Sequence, residues 1–318
     1  MGSLGTQVME YRQLGNTGIN VSVVGFGAAP LGNVFRATDP GEGFRAVHFA
    51  VENGINLFDV SPYYGITLAE ERLGEALAGR RDKVVLATKC GRYGVNEFNY
   101  SANQVTAEFE QSLRRLKTDY VDLLQVHDVE FGDVQQIIDE TIPQLRKLQE
   151  QGKVRAIGIT GYPLKAMTRI ATAVPVDTIL TYCRYNLMIT DLDQLLTPVA
   201  KELGIGLINA SALNMGILTE RGASDWHPAP RALRDAGQEA VRLCKSRGAS
   251  LPEVALRFAI DHTGVSSTLV GVSTIAHVQE CLKALTATRD PELLEELHAL
   301  FKPVFNYVWP SGRPENHD

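Results

Sequence analysis

Eight short apolar runs, each followed by a segment with helical spacing, constrain the fold of this chain more than any other feature. The runs are VVGFGAA, INLFDVS, KVVLATKC, YVDLLQVH, VRAIGIT, TILTYC, GIGLINAS and STLVGV. They are rich in Val, Ile and Leu and lack polar alternation, which is typical of strands buried on both faces of a parallel sheet. Parallel strands need long crossover connections, so helices are expected between them.

The segments between the runs have the features of amphipathic helices. GFRAVHFAVENG ends on Gly54, QQIIDETIPQLRKLQEQG on Gly152 and LDQLLTPVAKELG on Gly204, and glycine is common just past the end of a helix. TAEFEQSLRRL has its acids first and its bases last, which suits the helix dipole. Strand and helix repeat about eight times over roughly 270 residues, which predicts an α/β fold, the (β/α)8 TIM barrel.

A doubly wound sheet is the alternative arrangement of such units. It would place a glycine fingerprint and then a helix directly after the first strand, but GFGAAP supplies two glycines and then Pro30. Before that strand, YRQLGNTGINVSVV predicts a hairpin that could close the bottom of a barrel. No Pro- or Ser-rich linker interrupts residues 1–318, so we expect one domain.

Composition argues against several classes of function. The formal net charge is −6 and there is no basic run, which gives no support for nucleic-acid binding. No apolar stretch approaches the ~18 residues of a membrane helix. The start, MGSLGT, lacks the apolar region of a secretory signal, although it matches the loose myristoylation pattern. Four widely spaced cysteines predict reduced thiols and a cytoplasmic protein.

Polar residues stand where three successive apolar runs end. Asp59 follows INLF, Lys89 follows VVLAT and His127 follows LLQV. In a barrel, the carboxyl ends of the strands share one mouth, where barrel enzymes carry their active sites. A charged residue at a buried strand end is unfavourable unless it is paired, and Asp59 and Lys89 fall on neighbouring strands. The loop after Asp59 adds two phenols, Tyr63 and Tyr64.

Three chemistries could use this group of side chains. In the first, a tyrosine transfers a proton, because an ammonium such as Lys89 lowers the pKa of a phenol from its usual ~10, while His127 orients the substrate oxygen. In the second, Lys89 forms a Schiff base, as in aldolases. In the third, Asp59, His127 and Asp128 bind a metal ion. Each residue alone has an ordinary structural explanation, and only their convergence on one mouth favours catalysis.

Three longer stretches of this sequence resemble a known enzyme family. FDVSPYYGITLAEERLG, ATKCG and DLLQVHD resemble the aldo-keto reductases, and the resemblance covers essentially the whole chain. The family implies a barrel that binds a nicotinamide cofactor without a Rossmann domain, and a catalytic tetrad of Asp, Tyr, Lys and His. Its motif D-x-x-x-x-Y-G falls on Asp59, Tyr64 and Gly65. The resemblance therefore makes Tyr64 the catalytic phenol, with Lys89 and His127 completing the tetrad.

The cofactor site implied by the resemblance is less complete. The family pattern Ser-Asn after the fifth strand is Thr160-Gly161 here, and the family glutamine on the sixth strand falls on Tyr182. The tyrosine that stacks on the nicotinamide after the seventh strand is replaced by Ala210, so that ring is missing. The other cofactor-binding residues implied by the resemblance are Gly27, Ser211, Leu213, Gly216 and Ser273.

The last strand bears on the choice between NAD and NADP. NADP-dependent members resemble K-S-x-x-x-x-R-x-x-E-N in this region, whereas this chain reads GVSTIAHVQEC, with Gly271 for the lysine and His277 for the arginine. In NADP-dependent members, this lysine and this arginine are the cations expected to pair with the 2′-phosphate of NADP. Their loss predicts NAD, with Glu280 at the adenine or ribose, unless another loop such as that of Arg221 supplies the charge.

Further stretches resemble one group within the family. TGYPL, TYCRYNL, NASALNMGIL and NYVWPSG resemble the aldose 1-dehydrogenases, above all the plant members that act on L-galactose. This implies NAD-dependent oxidation of the C1 hydroxyl of L-galactose to L-galactono-1,4-lactone, on the route to ascorbate. L-fucose and D-threo-aldoses are alternative substrates, and a cofactor-binding partner protein without turnover is an alternative of another class. The expected substrate contacts are Tyr93, Phe98, Asp128, Glu130, Trp226, His227, Tyr307 and Trp309.

Overall fold

A computed structural model describes residues 9–318, and the stretch MGSLGT, which matches the loose myristoylation pattern, lies outside the described residues. The strands are β1 (Tyr11–Gln13), β2 (Asn20–Ser22), β3 (Val24–Gly27), β4 (Leu57–Asp59), β5 (Val85–Cys90), β6 (Val121–Val126), β7 (Val154–Gly161), β8 (Thr178–Tyr182), β9 (Gly206–Ala210) and β10 (Ser267–Gly271). The helices are α1 (Pro40–Glu52), α2 (Leu68–Ala76), α3 (Ala102–Leu116), α4 (Val134–Gln136), α5 (Ile142–Glu150), α6 (Leu164–Ala173), α7 (Asp191–Leu195), α8 (Thr197–Leu203), α9 (Arg231–Ser246), α10 (Leu251–Ile260), α11 (Ile275–Thr286) and α12 (Pro291–Phe301).

Strands β3 to β10 form one closed parallel barrel. Each strand pairs with the next along the chain, and β10 pairs back onto β3, with Thr268 opposite Val24 and Gly271 opposite Gly27. The predicted (β/α)8 barrel is therefore confirmed, and the alternative of a doubly wound sheet is wrong. Closure explains the apolar runs, because a closed sheet has one face toward the lumen and the other toward the helices.

The amino-terminal hairpin closes the bottom of this barrel, as predicted. Strands β1 and β2 pair antiparallel, and Leu14, Ile19 and Val21 are buried against lumen residues such as Leu57. Each buried aliphatic side chain of this size contributes about 1.5–3 kcal/mol. Gly15 is required at the turn, because a Cβ there would lie 2.3 Å from the backbone nitrogen of Gly206.

Several helices differ from the sequence prediction at their ends or in their continuity. Helix α3 begins at Ala102 rather than at Thr106. Between α4 and α5 the chain makes one π-helical turn just before Pro143, whose missing N–H cannot bond to the preceding turn. The single helix predicted over LDQLLTPVAKELG is broken at Leu196, two residues before Pro198, into α7 and α8.

A long insertion follows the seventh barrel strand, between β9 and α9. It includes a short 3-10 turn at Asn214–Gly216, and the following helix α9 packs with α10 and α12 through buried side chains such as Leu233, Val241 and Phe301. This second apolar cluster lies outside the barrel and holds the insertion at the mouth. No helix within residues 9–318 is both long and apolar enough to cross a membrane.

Candidate active site

The barrel register brings three buried polar side chains to one mouth. Asp59 is the last residue of β4, Lys89 lies next to the end of β5, and His127 directly follows β6. Lys89 is the register partner of Gln125 on β6. Side chains alternate along a strand, so Asp59, Lys89 and Gln125 share the lumen face with the apolar residues below them. Tyr64 lies in the loop after β4.

Asp59 and Lys89 form a buried ion pair against the ring of Tyr64. The Lys89 ammonium donates to Asp59 Oδ1 at 2.5 Å and to the Val60 carbonyl at 2.9 Å, and it lies 4.9 Å from the centre of the Tyr64 ring. Burial lowers the pKa of Lys89, but Asp59 and Tyr64 more than offset this, so the pKa of Lys89 is raised. A lysine held as an ammonium is a poor nucleophile, which disfavours the Schiff-base alternative.

Burial raises the pKa of Tyr64 to about 12, although Lys89 opposes this. The expectation that Lys89 keeps this phenol partly ionised is therefore wrong for the protein alone. Desolvation of the phenolate in the buried mouth exceeds the attraction of one ammonium that is already paired with Asp59. Tyr64 is a neutral phenol in this state, so proton removal needs a further positive charge near its oxygen.

His127 is a neutral imidazole hydrogen-bonded to Ser61. Ser61 Oγ accepts the backbone N–H of Tyr63 at 3.1 Å and lies 3.0 Å from His127 Nδ1. We assign the ring proton to Nε2, so that the Ser61 hydroxyl donates to Nδ1 and Nε2 faces Asp128. Burial lowers the pKa of His127 to about 3. The Nε2–H is therefore a permanent hydrogen-bond donor beside Asp128, whose Oδ2 is 3.7 Å away.

Sequence reasoning missed two residues of this mouth. Gln125 is fully buried and donates from Nε2 to Asp59 Oδ2 at 3.1 Å, which fixes the second carboxylate oxygen. Arg92 forms an ion pair with Asp128 and stacks 3.8 Å from the centre of the Tyr63 ring. One signal for Gln125 was present, because it is the only polar residue in LLQV and stands two positions before His127, on the same strand face.

The residues assigned to the cofactor by resemblance lie around the same mouth. Thr160 Oγ accepts the backbone N–H of Asp128 at 3.2 Å. Tyr182 is the register partner of Ala210 on β9. An aromatic ring therefore lies on the strand next to Ala210, the position at which the family usually has its stacking tyrosine. Ser211 and Gly216 have φ values of +60° and +102°, and these left-handed residues turn the loop after β9. Leu213 packs in the apolar cluster of that insertion.

Arg36 lies close to the corner between β10 and α11, where the two cations of the NADP pattern are missing. Gly271 ends β10, and Ser273 donates its backbone N–H to His277 Nδ1 at 3.4 Å. Arg36, from the loop after β3, places Nη2 3.3 Å from His277 Nε2. Arg36 therefore brings to this corner a positive charge of the kind that a loop such as that of Arg221 was expected to supply. Gly27 ends β3 next to this corner.

The structure separates the expected substrate residues. Asp128 lies beside His127, and Trp309 stacks on Tyr162 with ring centres 4.6 Å apart. Trp226 is 59% exposed at the outer end of the insertion. The hydroxyl of Tyr93 accepts the backbone N–H of Gly91 at 3.0 Å, so Tyr93 folds back on its own loop.

Four further residues were expected at the substrate site. Phe98 stacks on Phe131 with ring centres 4.6 Å apart, His227 meets Trp309 edge-on at 5.4 Å, and Tyr307 is largely exposed. Glu130 is fully buried beneath the carboxyl-terminal segment. The expectation that it lines the mouth is wrong, because residues distant in sequence cover it.

The metal alternative has no ligand set in the part of the chain that the structure describes. Within residues 9–318, no three His, Cys, Asp or Glu side chains are grouped so that they could hold a metal ion. Both carboxylate oxygens of Asp59 are engaged, one by Lys89 and the other by Gln125. The arrangement is suited to proton transfer and hydrogen bonding at a single substrate oxygen.

The sequence profile of the Aldo/keto reductase family matches residues 23–301. The chain belongs to the aldo/keto reductase family. It is 46% identical to the L-galactose dehydrogenase of Arabidopsis thaliana over 97% of this chain and 99% of that protein. It is 32% identical to the D-arabinose 1-dehydrogenase of Saccharomyces cerevisiae, over 84% of this chain and 87% of that protein. These matches identify an oxidoreductase.

Two further relatives support the assignment. A D-threo-aldose 1-dehydrogenase of a Pseudomonas species is 29% identical over 83% of this chain and 89% of that protein. The holo form of an aldo-keto reductase from Bacillus halodurans superposes with a TM-score of 0.80 at 27% identity, covering 95% of this chain and 98% of that chain. Aldo-keto reductases bind a nicotinamide cofactor, so this chain is expected to share that property.

Proposed function

We propose that this aldo-keto reductase oxidises the C1 hydroxyl of L-galactose to L-galactono-1,4-lactone with NAD as the acceptor. The observation that carries the proposal is the buried Asp59–Lys89 pair against Tyr64, beside the neutral donor His127. The similarity to the Arabidopsis L-galactose dehydrogenase supports the choice of sugar. Such a reaction would serve ascorbate synthesis, and four buried, unpaired cysteines support a cytoplasmic setting.

In this mechanism Tyr64 removes the proton from the C1 hydroxyl. A bound oxidised nicotinamide would supply the hydride acceptor for C1 and a positive charge. The Lys89 ammonium favours the phenolate of Tyr64, and a second positive charge nearby would help to offset the desolvation that raises the pKa of Tyr64. Asp59 and Gln125 hold Lys89 in place, and His127 donates its Nε2–H to the same substrate oxygen.

The mouth residues fit a nicotinamide cofactor even though the usual stacking ring is absent. Tyr182 lies on the neighbouring strand, in register with Ala210. Its ring can therefore cover the face of the nicotinamide that an aromatic residue at position 210 would cover in other family members. Thr160 and Ser211 add hydroxyls at the ends of β7 and β9. The N-terminus of α11, capped by the Thr274 hydroxyl, offers free backbone N–H groups to a phosphate.

The choice of NAD rests on the corner between β10 and α11. Gly271 has no side chain to pair with a 2′-phosphate, and burial lowers the pKa of His277, so that this imidazole is neutral near pH ~7. Within residues 9–318, Arg36 is the cation that contacts His277. An exposed arginine gives less binding energy than the two cations of the NADP pattern, so NAD is favoured.

Oxidation of L-fucose or D-arabinose is the second candidate, because named aldose 1-dehydrogenases of yeast and Pseudomonas are also similar to this chain. L-fucose lacks only the C6 hydroxyl of L-galactose. A site that hydrogen-bonds this hydroxyl rejects the deoxy sugar strongly, whereas an apolar site does not. The ion pair of Arg92 with Asp128 lies beside His127 and could make such a contact.

The test is NADH or NADPH formation with L-galactose, L-fucose and D-arabinose, each with NAD and with NADP. Preference for L-galactose with NAD supports the proposal. Preference for another sugar keeps the mechanism and changes the substrate. Tight NAD binding without turnover of any sugar would contradict the proposal and favour a cofactor-binding partner protein.

A further inference from the structure

Glu130 is a buried carboxyl group that the tetrad does not use. It lies in the 3-10 turn Val129–Phe131, just after His127, and is fully buried. Its Oε1 accepts the backbone N–H of Tyr162 at 3.2 Å and the Ser311 hydroxyl at 3.1 Å. Its Oε2 finds no hydrogen-bond partner among residues 9–318. Buried polar atoms are nearly always paired, so this carboxyl group needs an explanation.

The backbone of Glu130 is also the docking point for the carboxyl-terminal tail, defined here as residues 305–318. The Glu130 carbonyl accepts the backbone N–H of Arg313 and the side-chain amide of Asn316, both at 2.9 Å. Gly312 has φ +80°, and a Cβ there would lie 2.3 Å from the same carbonyl oxygen. The tail therefore rests directly on Glu130, and only glycine permits this approach.

Two further residues of the tail, Trp309 and Asp318, hold it across the mouth loops. The ring of Trp309 stacks on Tyr162, and its backbone N–H donates to the Tyr162 hydroxyl at 3.3 Å. Asp318 accepts from the buried Arg184 at 2.5 Å. The tail thereby brings Trp309 next to Tyr162, whose ring centre is 5.4 Å from that of Tyr182. One wall of the mouth thus depends on the tail being docked.

Within residues 9–318, no positive charge compensates the Glu130 carboxyl group. Among the described residues, the titratable groups that act on or respond to it are Asp128 from its own loop, Tyr100 from the loop before α3, and Tyr182 from β8. Arg92, the nearby cation, is paired with Asp128. Burial raises the pKa of Glu130 to about 8 and Asp128 adds to this, although the hydrogen bonds from Tyr162 and Ser311 oppose it.

We propose that Glu130 is a positioning residue that, as a neutral acid, holds the carboxyl-terminal tail closed over the mouth, and that its ionisation favours release of the tail. A carboxylate buried without a cation costs far more than a neutral carboxyl group at the same place, even one whose Oε2 has no partner within residues 9–318. An ionised Glu130 must reach water, and the tail covers its route. The measurement of KM for the sugar rests on the proposed function, whereas the measurement of hydrogen exchange in the tail does not.

The direction of the pH effect follows from proton linkage. With the tail open, Glu130 is hydrated and returns to its ordinary pKa of ~4.3. The docked state binds the proton more tightly, so the contribution of Glu130 to docking is fully present below about pH 4.3. Above that pH, this contribution of Glu130 weakens about tenfold per pH unit. The weakening ends at about pH 8, where Glu130 ionises in the docked form itself, and the contribution is then independent of pH.

Hydrogen–deuterium exchange of the Trp309 and Arg313 amides tests the proposal. Glu130→Gln keeps an Oε1 acceptor and removes the titration, and Glu315→Gln makes the same chemical change at an exposed carboxylate of the same tail. Near pH ~7 we expect at least about tenfold slower tail exchange in E130Q than in the wild type or E315Q. Equal or faster exchange in E130Q, with unchanged pH dependence, overturns the proposal.

A second variant keeps the test decisive if E130Q does not fold. Gly312→Ala places a methyl group against the Glu130 carbonyl, so it should open the tail and speed exchange at every pH. Wild-type protection in G312A would show that the tail is not held at Glu130. If the sugar is oxidised, its KM should rise between about pH 6 and 8 in the wild type and E315Q but not in E130Q. A matching KM rise in E130Q contradicts the proposal.

Discussion

Replacing Lys89 with methionine removes one half of a buried ion pair, and the structure indicates how much stability this loses. Asp59 and Lys89 are 4% and 2% exposed, so the variant leaves a buried carboxylate with Gln125 as its side-chain partner. Removing one partner of a buried pair costs about 3–5 kcal/mol. With an unfolding entropy of about 2.1 cal/mol/K per residue, a chain of this length should lose about 5–8 °C in Tm.

The double variant D59N/K89M separates the unpaired charge from the lost packing. Asparagine is neutral and retains an oxygen for Gln125, so we expect the double variant to recover most of the lost Tm. Lys153→Met is the matched control, because Lys153 pairs with Glu110 at a part-exposed site, where such a pair contributes about 0–1 kcal/mol. Differential scanning calorimetry measures all three variants.

The deficit of K89M should also depend on pH with a defined sign. Burial raises the pKa of Asp59 even when Lys89 is present, and the variant lacks the opposing ammonium. A carboxyl group with a raised folded-state pKa stabilises most below its unfolded value of ~3.9 and loses this contribution as pH rises. The deficit is therefore smaller near pH ~5 than near pH ~8. A K89M variant that loses no more Tm than K153M, with no recovery in D59N/K89M, would refute the reasoning.

Three further predictions concern the mouth. Gln125→Leu removes the hydrogen bond to Asp59 Oδ2, and a charge-assisted hydrogen bond of this kind contributes about 1.5–3 kcal/mol. In steady-state kinetics, we expect kcat to fall about tenfold or more while the affinity for NADH is unchanged. A normal kcat and a normal pH profile would exclude this positioning role. His127 is neutral with a pKa of about 3, so the pH profile of kcat should show no step near pH ~6.5, and a clear step lost in His127→Asn would contradict this. Arg36→Ala should weaken NADP binding several-fold more than NAD binding in fluorescence titrations, because only NADP carries the 2′-phosphate; equal losses would remove Arg36 from the cofactor site.

Much of the fold could be predicted from the sequence, because a parallel barrel buries both faces of each strand and this leaves apolar runs that are easily recognised. The hairpin was predictable from its turn residues. The break at Leu196 was not, because GFRAVHFAVENG and LDQLLTPVAKELG show similar periodicity and only Pro198 marks a difference. Helix ends depend on packing that local sequence does not record.

The site was predictable where it follows from strand ends, and not where it depends on distant contacts. Asp59, Lys89 and His127 each end an apolar run, so their convergence follows from the topology alone. Arg36 contacts His277 across 241 positions. The burial of Glu130 depends on a tail residue 181 positions away. The sign of the pKa shift of Tyr64 was also missed, because desolvation is a property of the assembled mouth.

The most direct test of the central claim is the turnover of Tyr64→Phe beside that of Tyr63→Phe, with L-galactose and NAD. Both variants lose one hydroxyl from neighbouring rings, but only Tyr64 lies against Lys89, while Tyr63 stacks on Arg92. We predict that Y64F loses about 10²–10⁴-fold in NADH formation while binding NADH normally, and that Y63F retains most of its activity. Wild-type turnover by Y64F would contradict the claim that Tyr64 transfers the proton.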